Sequence, residues 1–145
     1  MAWFYYAMAA SVLWGFGYAL SERVVKDDLP TSFFVLTQGI IGVILYLAIC
    51  LYFGTIKTGV EALQSNPKIW LNLGLVAFST TLGIFFIYMA IVGKNASMAN
   101  MIEITYPVFT ILFAWLLFRD VQVNWTTALG GLLIFSGVGL IYWKS

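Results

Sequence analysis

Long apolar runs separated by short polar links dominate the pattern of this chain. Five of these runs are long enough to cross about 30 Å of hydrocarbon as α-helices, which rise about 1.5 Å per residue. Their approximate bounds are 2–21, 33–53, 69–92, 98–118 and 125–143. The pattern therefore predicts an all-α membrane protein, in which residues 1–145 form a single bundle of five transmembrane helices.

The polar links carry most of the charged residues and the turn signals. Pro30 ends one helical pattern, and Thr31 or Ser32 is predicted to cap the next helix. The longest link is 54–68, and we expect its segment 60–63 to form a short turn at the membrane interface. Residues 93–95 and 119–120 are tight links, which favour antiparallel neighbouring helices.

Composition agrees with a membrane location. The chain is 62% hydrophobic and 9% charged, with a mean hydropathy of +0.95, whereas an average soluble domain is about 25% charged. A small domain in water could not hide this much apolar surface. The first apolar run lacks a basic segment before it and is longer than a typical signal sequence, so we expect it to be retained. The expected location is the cell (inner) membrane, with several passes.

Residue types needed for several functions are scarce. Cys50 is the single cysteine, histidine is absent, and the net charge is +1. No disulfide, no metal site and no cofactor site is therefore predicted, and the scattered charges argue against a nucleic-acid partner. Neither a phosphate-binding loop nor a pair of intramembrane acids occurs, so we expect no enzyme activity.

The basic residues are almost evenly divided between the two sides of the predicted bundle. One side would receive Lys57, Lys68 and Arg119, and the other Arg23, Lys26, Lys94 and Lys144. Because an excess of Lys and Arg on the inner side sets the orientation, this balance predicts insertion in both orientations. The alternative is that a few well-placed lysines fix one orientation.

Glu103 is the first candidate functional residue. It lies about 8 Å inside the fourth predicted span, where an ionised acid costs about 2.5–3.5 kcal/mol. Pro107 lies four residues later and cannot donate to the carbonyl of Glu103, so a kink is expected there. Asn100 is on the same helix face. The functional hypothesis is a water-accessible site for a proton, cation or amine; alternatively, Glu103 reaches the headgroups or bonds a neighbouring helix.

Other candidates lie on the first, second and fifth helices. A stripe of small residues on the first helix predicts close helix packing, as does a glycine pair on the fifth. Trp14 and Tyr18 form part of an aromatic and polar face that could attract organic cations, although such faces are more often ordinary packing. Gln38 is a minor candidate for the same cavity wall. The predicted packing residues are Ala7, Ser11, Gly15, Ala19, Gly130 and Gly137.

Several short motifs occur in a characteristic order. Near the start stand Trp14-Gly15 and Leu29-Pro30. The second and stronger stretch contains Ala96-Ser97-Met98-Ala99, Tyr106-Pro107-Val108-Phe109, Leu116-Leu117-Phe118-Arg119-Asp120, Leu129-Gly130-Gly131-Leu132-Leu133-Ile134 and Gly137-Val138. In this order and spacing the chain resembles the EamA-type repeat of the drug/metabolite transporter superfamily.

The resemblance implies that this chain is half of a ten-helix inverted-repeat transporter. An inverted homodimer would then place two Glu103 residues around a central path for a small-molecule substrate, which favours a cationic substrate or proton coupling. The leading hypothesis is a proton-coupled exporter of small metabolites or drugs. The alternatives are a flippase-like subunit for lipid-linked sugars and a non-transporting membrane scaffold.

Overall fold

The computed structural model describes residues 2–119 and 124–144, and these residues form an all-helical chain. No strand occurs within those two ranges, which confirms the predicted all-α class. Asp120, from the link predicted at 119–120, lies outside the described residues. The helices are α1 (Ala2–Lys26), α2 (Thr31–Phe53), α3 (Ile56–Ser65), α4 (Pro67–Gly93), α5 (Ala96–Glu103), α6 (Tyr106–Phe118) and α7 (Trp125–Lys144).

Within the described residues, four stretches are long and apolar enough to cross a membrane. They are α2, α4, the stretch Ala96–Phe118 that contains α5 and α6, and α7. α1 has 25 residues, or about 37 Å of helix, but its Trp, Tyr and Gly residues make it less hydrophobic than the others. Its crossing of the membrane, and hence the total of five spans, stays a prediction.

α1 continues five residues beyond its predicted end at residue 21. Lys26 Nζ lies 2.7 Å from Glu22 Oε1 in an i,i+4 ion pair, and the Ser21 hydroxyl donates to the Gly17 carbonyl at 2.7 Å. These local bonds let polar residues continue the helix past the apolar run. Asp28 follows in the left-handed conformation, with φ of 63°.

The predicted cap of the second helix is wrong by one residue. Pro30 occupies the N-cap position, without a side-chain cap, and Thr31 is already helical. The carbonyl of Pro30 accepts from Phe33 N at 2.9 Å and from Phe34 N at 3.0 Å. The proline ring fixes φ near the helical value, so the backbone carbonyl begins the helix without help from a hydroxyl.

The segment between α2 and α4 forms more than the short turn expected from sequence. Gly54 ends α2 with φ of 65°, and the ten-residue helix α3 follows. The left-handed conformation suits glycine, which has no Cβ to clash. α3 packs against α4.

The chain divides into two compact units, residues 1–93 and 94–145. In the first unit α1, α2 and α4 pack together. Tyr88 of α4 is 4% exposed and lies in edge contact with Tyr18 of α1 and Phe34 of α2, at ring-centroid distances of 6.2 and 4.8 Å. Val25 and Ile91 are also buried. The core of this unit therefore lies where α1 ends and α2 begins.

In the second unit α6 contacts α7. The rings of Phe109 and Phe135 are 6.4 Å apart between centroids. A Cβ added to Gly131 would lie 3.5 Å from Val108 Cγ2, which is ordinary van der Waals distance. The two helices therefore pass close to each other at Gly131, with room for a Cβ there.

Replacement of Tyr88 by Ala tests the core of the first unit. We expect Tyr88→Ala to lower the free energy of unfolding by about 3 kcal/mol, the usual loss when a buried aromatic side chain is truncated. Tyr46→Ala is the control, because Tyr46 is 72% exposed. Unfolding in detergent micelles provides the measurement, and equal losses for both variants would contradict this description of the core.

Candidate functional site

The first candidate site is a helix break in the second unit, which we call the acidic turn and define as Asn100, Glu103 and Pro107. The fourth predicted span is helical with a local irregularity just before Pro107, where Ile104 and Thr105 keep right-handed helical backbone angles. α5 ends at Glu103, Ile104 and Thr105 form a turn, and α6 begins at Tyr106. Pro107 is in the first turn of α6, where its missing N–H is tolerated. The interruption lies just before the proline, close to the predicted kink.

Local hydrogen bonds hold the break in place. Ile104 N donates to the backbone carbonyl of Asn100 at 3.0 Å, and Thr105 N donates to the backbone carbonyl of Ile102 at 3.1 Å. The Thr105 hydroxyl donates to that same carbonyl at 2.9 Å. Val108 N then bonds to the carbonyl of Thr105 at 3.0 Å. These hydrogen bonds therefore hold the turn that joins α5 to α6. Glu103 is the last residue of α5 before it.

Asn100 carries the unusual feature of the acidic turn. Its Oδ1 atom is buried and has no hydrogen-bond partner among the described residues. Asn95 shows the ordinary arrangement, because its Oδ1 accepts from Met98 N at 2.8 Å and caps α5. A buried unpaired acceptor costs about 1–3 kcal/mol. Such an atom in a native protein calls for an explanation, and a bound donor is one.

Glu103 lies three residues after Asn100, on the same face of α5. Its side chain and that of Pro107 are half-buried. The carboxylate and the amide oxygen are both acceptors when Glu103 is ionised. A ligand that bonded to both groups would therefore supply donors, as a hydronium ion or an ammonium group does.

The second candidate site lies in the first unit and consists of the core rings Tyr18, Phe34 and Tyr88, here called the aromatic cluster. Sequence reasoning identified Tyr18 but missed the other two. Trp14 precedes Tyr18 by one turn of α1 and is 58% exposed. Gln38 follows Phe34 by one turn of α2 and is exposed. Tyr88 could have been noticed in the sequence as a tyrosine, with its polar hydroxyl, within the apolar run of α4.

The predicted site residues thus fall into two groups. Asn100, Glu103 and Pro107 occur together in the second unit, on consecutive turns of α5 and α6. Trp14, Tyr18 and Gln38 belong to α1 and α2 of the first unit. Their role in binding stays a prediction.

The predicted packing positions are mostly uncovered within this chain. Ala7, Ser11, Gly15 and Ala19 are all exposed on α1. No described atom lies within 4 Å of a Cβ built on Gly15, Gly130 or Gly137, and Gly131 is the glycine that α6 approaches. The stripes are therefore open to lipid or to another helix, and their use in packing stays a prediction.

A further concave surface occurs at the end of α1. It is an open cavity of about 450 Å³, lined by Ala19, Glu22, Arg23, Lys26 and Asp27. It contains both signs of charge, including the Glu22–Lys26 ion pair. None of the residues predicted to bind substrate lines it. Within the described ranges, no group of three metal-ligating side chains is placed to hold a metal ion.

Comparison with known proteins gives two similarities. Residues 1–143 match the model of the EamA-like transporter family, which confirms the resemblance found in the sequence. A curated protein of Drosophila melanogaster, named solute carrier family 35 member B1 homolog, is 27% identical over 131 residues; these cover 87% of this chain and 38% of the relative. The chain therefore spans less than half of that relative's length. No solved structure matches this chain.

Replacement of Asn100 by Leu tests whether its buried oxygen lacks a partner in the protein. We expect Asn100→Leu to raise the free energy of unfolding by about 1 kcal/mol, because it removes an unpaired polar group and keeps the branched shape of the side chain. Asn95→Ala should lower it by about 1 kcal/mol, because it removes a helix cap. Thermal unfolding in micelles measures both, and a loss of stability in Asn100→Leu would contradict the assignment.

Proposed function

This chain belongs to the EamA-like transporter family, and on that premise we propose that it is a secondary transporter subunit that exports small cationic metabolites or drugs in exchange for protons. The observation that carries the proposal is the buried Asn100 Oδ1, which has no partner among the described residues. It stands one turn from a half-buried carboxylate, in a stretch apolar enough to cross the membrane.

The exchange follows from the acceptor chemistry of the acidic turn. Glu103 accepts either a proton or the positive charge of a substrate, and not both at once. Proton binding neutralises the carboxylate and removes the attraction for the cation, while loss of the proton restores it. Asn100 supplies a second acceptor, which orients a donor on the ligand. A single carboxylate can therefore couple the two fluxes.

The same observation disfavours a scaffold without transport activity. A scaffold predicts that Asn100 and Glu103 face a satisfied helix interface. An unpaired buried oxygen lowers stability without benefit to such a protein, whereas a transporter uses the atom when the ligand binds. The name of the Drosophila relative, a solute carrier, also supports transport.

We further propose that the transporter is an inverted homodimer in the cell membrane. The balanced division of Lys and Arg supports insertion in both orientations. The exposed stripe of Ala7, Ser11, Gly15 and Ala19 offers a surface for close helix packing. The stretch similar to the Drosophila relative covers 38% of that protein, so two such chains approach its length. Pairing of opposite orientations would supply two acidic turns to one transport path.

Glu103→Gln tests the proposed exchange. In inverted vesicles with an imposed proton gradient and ethidium as the probe cation, we expect this variant to lose transport at least about tenfold, which corresponds to about 1.4 kcal/mol. The residual transport should no longer depend on pH, because glutamine keeps the shape and cannot bind the proton.

Glu61→Gln is the matched control, because Glu61 is an exposed acid on α3. It should transport ethidium as the unchanged protein does. The proposed role of Glu103 would be refuted if Glu103→Gln kept both the rate and the pH dependence.

A further inference from the structure

α3 is an amphipathic helix inserted between two apolar helices. Ile56, Val60 and Leu63 recur at spacings of four and three, so they form one edge of its ten residues. The opposite side carries polar residues, namely Lys57, Thr58, Glu61 and Ser65. Amphipathic helices of soluble proteins bury such an edge in a core. Here Ile56 and Val60 are 41% and 47% exposed.

The connections of α3 restrict its position along the membrane normal. α2 and α4, directly before and after it, are each long and apolar enough to cross the membrane. Gly54 and Thr55 join it to α2, and the extended Asn66 joins it to α4. Links this short keep α3 at the end of both spans, where hydrocarbon meets the headgroups.

A side-chain hydrogen bond fixes α3 to the beginning of α4. The indole N–H of Trp70 donates to the Leu63 carbonyl at 3.0 Å. Leu63 is in the last turn of α3, whose carbonyls lack donors within the helix. The bond satisfies one of these carbonyls, and it places a tryptophan at a level typical of membrane interfaces.

The charges around α3 suit a lipid surface. The Lys57 side chain is 87% exposed, and its Nζ atom forms a long i,i+4 ion pair with Glu61 Oε1 at 3.9 Å. Lys68, at the start of α4, is exposed as well. Two exposed ammonium groups beside an uncovered apolar edge match the phosphates and acyl chains of phospholipids.

We propose that α3 lies in the plane of the membrane interface and binds phospholipid directly. Its edge of Ile56, Val60 and Leu63 enters the region between the upper acyl chains, and Lys57 and Lys68 contact headgroup phosphates. The Trp70 bond holds the helix at this depth. α3 is thus a lipid-binding surface separate from the acidic turn, and it fixes the depth at which α4 enters the bilayer.

Spin labels at two positions of α3 test this orientation. Cys50→Ala removes the single cysteine, and Val60→Cys or Thr58→Cys then introduces one label on the apolar or polar side. The protein is placed in vesicles of phosphatidylcholine and phosphatidylglycerol. We expect the label at residue 60 to be more accessible to oxygen than to a water-soluble nickel complex, and the label at residue 58 to show the reverse. A label from Tyr46→Cys, on α2, gives the lipid-exposed reference.

Two results would overturn the proposal. Greater accessibility to nickel at both positions would place α3 in water, and poor accessibility to both reagents at residue 60 would mean that protein covers the apolar edge. Ile56→Cys repeats the measurement if the variant at residue 60 fails to fold. Trp70→Phe should increase label mobility at both positions, and unchanged spectra would refute the role of the Trp70 bond.

Discussion

An unpaired polar group in hydrocarbon is costly, and this cost constrains every part of the chain. The backbone avoids this cost by forming helices, in which its N–H and C=O groups bond to each other. Hydroxyl groups avoid it by donating to nearby backbone carbonyls, as Ser21 does to Gly17 and Thr80 does to Val76. Asn95 and Trp70 bond to backbone groups at helix ends. Against this background the acidic turn is exceptional, because it breaks a helix and leaves the buried Oδ1 of Asn100 without a partner among the described residues.

The same constraint separates the apolar packing of the first unit from the proposed site in the second. In the first unit, stability depends on the aromatic cluster around Tyr88, which joins three helices with apolar contacts. In the second unit, the acidic turn is the site where we propose that a ligand binds. Much of the apolar surface of α2 is uncovered, and no residue of that helix is fully buried. Lipid and a second subunit are the partners that such helices suit.

Sequence reasoning found the four stretches that are long and apolar enough to cross a membrane, because long apolar runs can be identified without tertiary information. It could not find features that depend on contacts between helices. The rings of Phe34 and Tyr88 are in contact because of how α2 packs against α4. A local sequence pattern contains no information about that packing. α3 was predicted as a turn because one short amphipathic helix gives a weak signal, and the cap of α2 was misplaced because Pro30 begins the helix with its backbone alone.

The acidic turn was partly predictable for a related reason. An acid within an apolar run and a proline four residues later are visible in the sequence, so Glu103, Asn100 and Pro107 were identified together. The lack of a partner for Asn100 Oδ1 among the described residues is visible only in three dimensions. The even division of basic residues was also visible, and the pairing with an inverted copy that we propose from it concerns more than one chain.

The orientation of the C-terminal end in living cells tests this pairing with an inverted copy. Two reporters fused after residue 145 suffice, one active only in the cytoplasm and one active only outside it. An inverted homodimer predicts activity from both reporters. Lys57→Gln and Lys68→Gln together should leave activity from one reporter alone, because they remove the balance of basic residues between the two sides. Activity from a single reporter in the unaltered protein would contradict the inverted homodimer.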